Sequence, residues 1–179
     1  MTIIVWDGKR LAGDRFTTSS ANKVDETRHQ EVNKVILPTK ELKVGTSHRA
    51  TKLLAYGLSG KVSSITKLIA IIEKLDEGTD VLAAVNNVFK QQLSEPQVSI
   101  LLVSKNLTII RGGCAQHKPV RTEFCAIGSG ARLAYGLQAR FPELTAVDCV
   151  YLASVLHKGF GGGISSYNSD KDTLRGIRK

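Results

Sequence analysis

Thr2-Ile3-Ile4-Val5-Trp6-Asp7-Gly8-Lys9-Arg10-Leu11-Ala12-Gly13-Asp14 decides how the rest of this 179-residue chain reads. β-Branched and aromatic residues run up to Asp7-Gly8, a turn dipeptide, and a second short run returns to Asp14. The pattern predicts a β-hairpin with its turn centred near Gly8, which sets Thr2 directly across from Asp14. Thr2 follows Met1. With Met1 removed, one residue carries a hydroxyl nucleophile and an α-amine base, a known way to activate a hydroxyl. That amine titrates near pH ~7.7–8.0, so a slight depression leaves much of it a free base at neutral pH. The plain alternative is a β-branched residue that only starts a strand, so the other segments have to decide.

Working outward, the chain is long enough for one domain with a substantial core. Hydrophobic residues make up 42% and charged residues 23%, the balance of a soluble globular protein. Asp7, Lys9, Arg10 and Asp14 interrupt what a signal peptide needs as its apolar region. No apolar run approaches the ~18 residues of a membrane span. Cys114, Cys125 and Cys149 lack metal-ligand or CxxC spacing and read as reduced, mostly buried thiols, which sets the expectation of a cytoplasmic protein. The net charge of +9 permits an acidic partner, but the basic residues are scattered, and no nucleic-acid or membrane partner is expected. Lys171, Arg175, Arg178 and Lys179 read as a solvated, mobile tail over 171–179, behind a single domain over 1–170.

Residues 15–31 are polar with little periodicity. Val32 to Leu37 reads as a strand stopped by Pro38, Glu41 to Arg49 as a connection, and Thr51 to Gly57 as the second strand of that pair. Val62, Ile65, Leu68, Ile69, Ile72 and Leu75 repeat at three and four, predicting a helix started by Ser59 or Gly60 and ended by Gly78. Thr79-Asp80 caps a second helix with Val81, Leu82, Val85, Val88 and Phe89 on its apolar face, and Pro96 closes it off. Val98–Val103 and Leu107–Arg111 form strands around a Lys105-Asn106 turn. Thr122–Ile127 leads into Gly128-Ser129-Gly130, then a helix over Ala131–Arg140. A further helix starts near Thr145 with Val147, Val150, Leu152, Val155 and Leu156. Gly161-Gly162-Gly163 is a loop before a last strand, Ile164–Tyr167. Strands alternating with helix pairs fit two antiparallel sheets, each covered by helices.

The motifs sit in this order at recognisable places. TIIV…LAGD opens the chain, VNKVI follows, AYGLSG precedes the first helix, and AIGSGARLAYG joins a strand to the third. Together they resemble the proteasome β-subunit family of N-terminal-nucleophile hydrolases, most nearly the HslV-type peptidase, as a divergent bacterial or phage member. The resemblance spans roughly residues 2–167. It implies an α+β fold: a four-layer αββα sandwich of two antiparallel sheets flanked by helix pairs. It implies a threonine-type peptidase that hydrolyses peptide bonds with Thr2 after loss of Met1.

The same resemblance assigns Asp14, Lys34, Gly60 and Ser129 to the site. A Lys34 ammonium beside the Thr2 amine disfavours protonating it, and Asp14 holds Lys34 in place. Gly60 stands between a strand and a helix, where backbone N–H groups favour developing negative charge. Gly57 is an equal candidate for that role. Ser129 reads as the N-cap of the helix from Ala131, and by resemblance its hydroxyl orients the threonine amine. After its last helix the family carries an aspartate and a serine; this chain has His157-Lys158-Gly159-Phe160-Gly161-Gly162-Gly163. No metal or cofactor is implied. The implied partners are a peptide or unfolded-protein substrate and copies of the chain in a homo-oligomeric ring, with room for an ATP-dependent unfoldase. Two alternatives stay open: a non-peptidase amidohydrolase on the same fold, and a non-catalytic ring-forming scaffold. Gly57-Leu-Ser-Gly60-Lys61 is not a phosphate-binding loop, because Ala55 and Val62 occupy places that need Gly and Ser or Thr.

Overall fold

Asp7 makes the first turn. Its Oδ1 accepts from the N–H groups of Lys9 (2.9 Å) and Arg10 (2.6 Å), and its own N–H donates to the Arg10 carbonyl at 3.1 Å. Gly8 adopts φ 94°, which a side chain would resist. The loop is therefore Gly8-Lys9, and its centre lies between those residues. The register pairs Ile4 with Gly13, Val5 with Ala12 and Trp6 with Leu11. Thr2 is thus not directly across from Asp14. The register brings Ile3 to Asp14, one residue away from the expectation, because the turn centre sits half a residue past Gly8.

The computed structural model describes residues 2–19, 28–45, 50–92, 98–104, 107–111, 124–157, 160, 162–170 and 173–177. Pro96, the Lys105-Asn106 turn, Cys114, Lys158, Gly159, Gly161, Lys171, Arg178 and Lys179 lie outside them. In chain order the elements are strands β1 (Ile4–Trp6), β2 (Arg10–Asp14), β3 (Phe16–Ser19), β4 (Arg28–Glu31), β5 (Val35–Ile36), β6 (Lys43–Val44), β7 (Thr51–Lys52) and β8 (Ala55–Gly60). Helices α1 (Val62–Lys74) and α2 (Val81–Gln92) follow, then β9 (Val98–Val103), β10 (Leu107–Arg111) and β11 (Cys125–Ile127). Helices α3 (Ala131–Arg140) and α4 (Ala146–Leu156) precede β12 (Ile164–Asn168) and β13 (Thr173–Ile177).

These elements group into two units, residues 1–35 with 123–179, and residues 36–122. In the first unit an antiparallel sheet runs β11-β1-β2-β12-β13. Helix α4 lies on β1, β2 and β12. The core between them joins Ile3, Val5, Ala12, Ala126 and Ile164 to Ala134, Ala146, Cys149, Val150 and Ala153. Small residues on α4 let the helix settle close to the sheet. Of the apolar residues named there, Val150 is in the core and Val147 packs against it, while Val155 and Leu156 are 59% and 64% exposed. Thr145 caps α4 through a reciprocal box with Asp148, and the Asp7 Oδ2 accepts the Ala146 N–H at 2.7 Å. One carboxylate therefore fixes both the hairpin turn and the helix start. Residues Thr173–Ile177, expected within a mobile tail, form the edge strand β13 instead.

The second unit holds a sheet ordered β10-β9-β8-β5, with the chain crossing between the units at β5. The expected strand over 32–37 is only Val35–Ile36, and the expected strand over 51–57 splits into β7 and β8. Ile65, Leu68 and Ile72 of α1, with Val81 and Val85 of α2, pack on Tyr56, Leu58, Val98, Ile100 and Leu102. Lys61, not Ser59 or Gly60, occupies the N-cap of α1, without a side-chain hydrogen bond. That helix ends at Lys74, ahead of Gly78. Asp80 caps α2 by accepting the Leu82 N–H at 3.0 Å.

Two glycines of the first unit differ in what they tolerate. A Cβ on Gly130 would lie 2.8 Å from both the Ile3 Cβ and the Phe160 Cζ, while one on Gly136, inside α3, meets nothing within 4 Å. Gly130→Ala should destabilise by about 1–3 kcal/mol through overpacking, and Gly136→Ala should stabilise by about 0.5–1 kcal/mol through helix propensity. Thermal melts should move in opposite directions by roughly 2–4 °C per kcal/mol. Equal shifts of the same sign would contradict the packing around Gly130.

Candidate active site

Four of the five residues singled out in the sequence come together in the first unit. Asp14 and Lys34 are fully buried, and Thr2 is 8% exposed. The Lys34 Nζ donates to the Asp14 Oδ1 at 2.9 Å, and the Ile3 N–H donates to the same oxygen at 2.9 Å. The Asp14 N–H in turn donates to the Ile3 carbonyl at 3.2 Å. The carboxylate thus stands where a strand carbonyl would continue the ladder, and so ties Lys34 to the residue after Thr2. Asp14 Oδ2 is buried with no hydrogen-bond partner among the described residues.

Thr2 is held on both sides of its backbone by the segment leading into α3. Its N–H donates to the Ser129 Oγ at 3.0 Å, and the Gly130 N–H donates to its carbonyl at 3.0 Å. Ser129 is not the cap of α3; Gly130 takes that place with no side-chain bond, leaving the hydroxyl for Thr2. The Ser129 Oγ also approaches the Thr2 carbonyl, at 3.4 Å. Sequence reasoning missed Gly130. Only the packed structure shows why it must be glycine, because Ile3 and Phe160 close over its Cα. Phe160 comes from the stretch after α4 that has neither aspartate nor serine, and it is buried. Asn33, next to Lys34, accepts from the buried Ser165 Oγ at 3.2 Å, linking this segment to β12.

Gly60 belongs to the second unit. It ends β8 with φ 148° and pairs with Val98, two residues before α1 begins. Gly57 lies inside β8 and pairs with Leu101. The strand end before a helix is therefore at Gly60.

Burial sets the electrostatics of the charged pair. Loss of water pushes the Asp14 carboxyl above its ordinary value, opposed by the Lys34 charge and the Ile3 hydrogen bond. The same loss pushes Lys34 below its ordinary value, opposed by Asp14. Each partner opposes the shift that burial imposes on the other. Burial, helped by Asp148 and Asp7, pushes the Cys149 thiol up to about 11, away from the thiolate form that attacks. Among the described residues no group of three His, Cys, Asp or Glu side chains is placed to hold a metal. No helix there is long and apolar enough to cross a membrane.

The sheet entered by a buried threonine, with a lysine–aspartate pair and a serine behind it, belongs to an HslV/proteasome-type fold. The chain is similar to eukaryotic HslV from Trypanosoma brucei, with a TM-score of 0.58 over 93% of this chain and 97% of that one, at 14% identity. No family model matches the sequence, and no curated protein matches it significantly.

Removing one member of the buried pair has a signed consequence. Lys34→Met takes away the charge that lowers the Asp14 pKa, so the folded variant keeps a proton at pH values where the unfolded chain, titrating at 3.8, has lost it. Its stability relative to the parent should then fall as pH rises through that window. Near neutral pH the loss should reach about 3–5 kcal/mol, and Asp14→Asn added to Lys34→Met should recover much of it. Denaturant unfolding from about pH 4 to about pH 8 checks this. A pH-independent difference would contradict the pairing.

Proposed function

We propose that the protein is a proteasome-like threonine endopeptidase whose nucleophile is Thr2, freed by removal of Met1. The observation that carries this is the convergence of the Thr2 nitrogen, the Ser129 hydroxyl and the buried Lys34–Asp14 pair on one strand start. The fold shared with HslV is consistent with it.

In this reading the Thr2 Oγ attacks the substrate carbonyl carbon and its proton passes to the Thr2 amine. Ser129, already on that nitrogen, orients it and relays the proton. The Lys34 charge keeps the amine from holding a proton in the resting state. As the tetrahedral intermediate collapses, the C–N bond breaks, the proton leaves with the amine product, and the acyl group stays on Oγ as an ester. Water then attacks the ester and restores the hydroxyl. The resemblance gives the oxyanion N–H to Gly60.

The proposal extends to the finer architecture and the setting. A four-layer αββα sandwich follows from the resemblance, and in the first unit Ile3, Val5 and Ala12 supply the sheet face that meets the helices. A cytoplasmic ring of copies, fed unfolded protein by an ATP-dependent partner, follows from the resemblance. Light scattering at micromolar concentration should report many times 19.4 kDa, and a stable monomer would remove the ring from the proposal. The scaffold reading draws on the buried Phe160 in the stretch where the family has an acid and a serine.

Kinetics on processed protein separates these readings. Thr2→Ala should abolish peptide hydrolysis with an unchanged melting profile, and Thr2→Ser should keep part of it. Lys34→Arg should lose nearly as much as Lys34→Ala, because a planar fork does not replace a compact ammonium. Full turnover by Thr2→Ala would reject the nucleophile. Turnover of small amides without peptides would favour the amidohydrolase.

A further inference from the structure

Thr2 is the residue that must be uncovered, and folding covers it. It is buried, its N–H is taken by Ser129 and its carbonyl by Gly130. Ile3 is fully buried, with its N–H on Asp14 and its carbonyl accepting from Asp14. A protease that cuts the Met1–Thr2 bond in trans needs the first residues extended and their backbone groups free for its own cleft. In the folded chain all four backbone polar groups of Thr2 and Ile3 are already committed to the protein.

The groups that close over Thr2 are distant in sequence: Ser129 lies 127 residues downstream. During synthesis at ~5–20 residues per second, they follow Thr2 by roughly 6–25 s. Throughout that interval the N-terminal segment has no Ser129 or Gly130 to bind.

We infer that excision of Met1 is confined to the chain before it folds, so that closure of Ser129 and Gly130 over Thr2 is a deadline for activation. The modification is hydrolysis of the Met1–Thr2 peptide bond by a methionine-specific aminopeptidase acting in trans. One water is consumed, methionine leaves with the new carboxylate, and Thr2 keeps the new amine. Chains that fold first retain Met1 and stay without a free Thr2 amine. The inference deepens the threonine-peptidase reading, on which its consequence for activity rests. Its evidence is the packing of Thr2 alone.

The test follows Met1 by intact mass, with no peptidase assay. Full-length chain is made while methionine excision is inhibited and purified folded. It is then incubated with a methionine aminopeptidase chosen because it removes Met1 from a synthetic peptide of residues 1–14. The folded chain should lose Met1 at least ~100-fold more slowly than the peptide, the penalty for freeing hydrogen-bonded, buried residues. Folded Ser129→Ala, which drops one tether, should be processed faster than the parent. Loss of Met1 from the folded parent at the peptide's rate would overturn the inference. So would spontaneous loss without the aminopeptidase, or a Ser129→Ala rate equal to the parent's. An inactive peptidase that still showed the slow excision would sink the catalytic reading and leave this one standing.

Discussion

The arrangement depends on one buried ion pair, Lys34 to Asp14 at 2.9 Å with both side chains fully covered. Two charges out of water are costly, and a buried pair is often no more stable than apolar residues of the same size. Stability therefore does not explain it. Position does: the oxygen that holds Lys34 also holds the Ile3 N–H, so the charge is locked to the strand one residue beyond Thr2. A single carboxylate oxygen converts a sheet register into the placement of an ammonium.

From that pair the other constraints follow in order. The Gly8-Lys9 turn fixes the register that delivers Asp14 to Ile3. Asp7 couples the same turn to the first residue of α4, so the hairpin cannot tilt without disturbing the helix beneath it. From the other side, β11 and the start of α3 bring Ser129 and Gly130 to the Thr2 backbone. Thr2 is thus clamped between early and late parts of the chain, a rigid setting of the kind that catalytic geometry needs.

Much of the fold was legible because its signals are local. The three-and-four spacing of Ile65, Leu68 and Ile72 matches the buried face of α1, and α3 spans Ala131–Arg140 as expected. The pair β3 and β4 was not legible, since Phe-Thr-Thr-Ser and Arg-His-Gln-Glu carry no alternation to betray a strand. The edge strand β13 was hidden by its basic neighbours. Within the site, Thr2, Asp14, Lys34 and Ser129 were found through motif order, not periodicity. Two expectations failed: Asp14 lies across from Ile3 and not from Thr2, and Ser129 does not cap α3. The first error comes from the turn, whose centre lies half a residue past Gly8, and the second concerns a hydrogen bond between segments 127 residues apart. Gly130 left no local sign, because its missing side chain matters only against Ile3 and Phe160.

The central claim is that this clamp turns Thr2 into a nucleophile once its nitrogen is an amine. The most direct measurement is covalent labelling of Met1-free protein with a hydroxyl-directed β-lactone, read by intact mass and by fragmentation of the N-terminal peptide. The account predicts one acyl adduct per chain, located on Thr2, and none on protein that retains Met1. Met1-free protein that takes no label on Thr2, or equal labelling of the Met1-retaining chain, would contradict it.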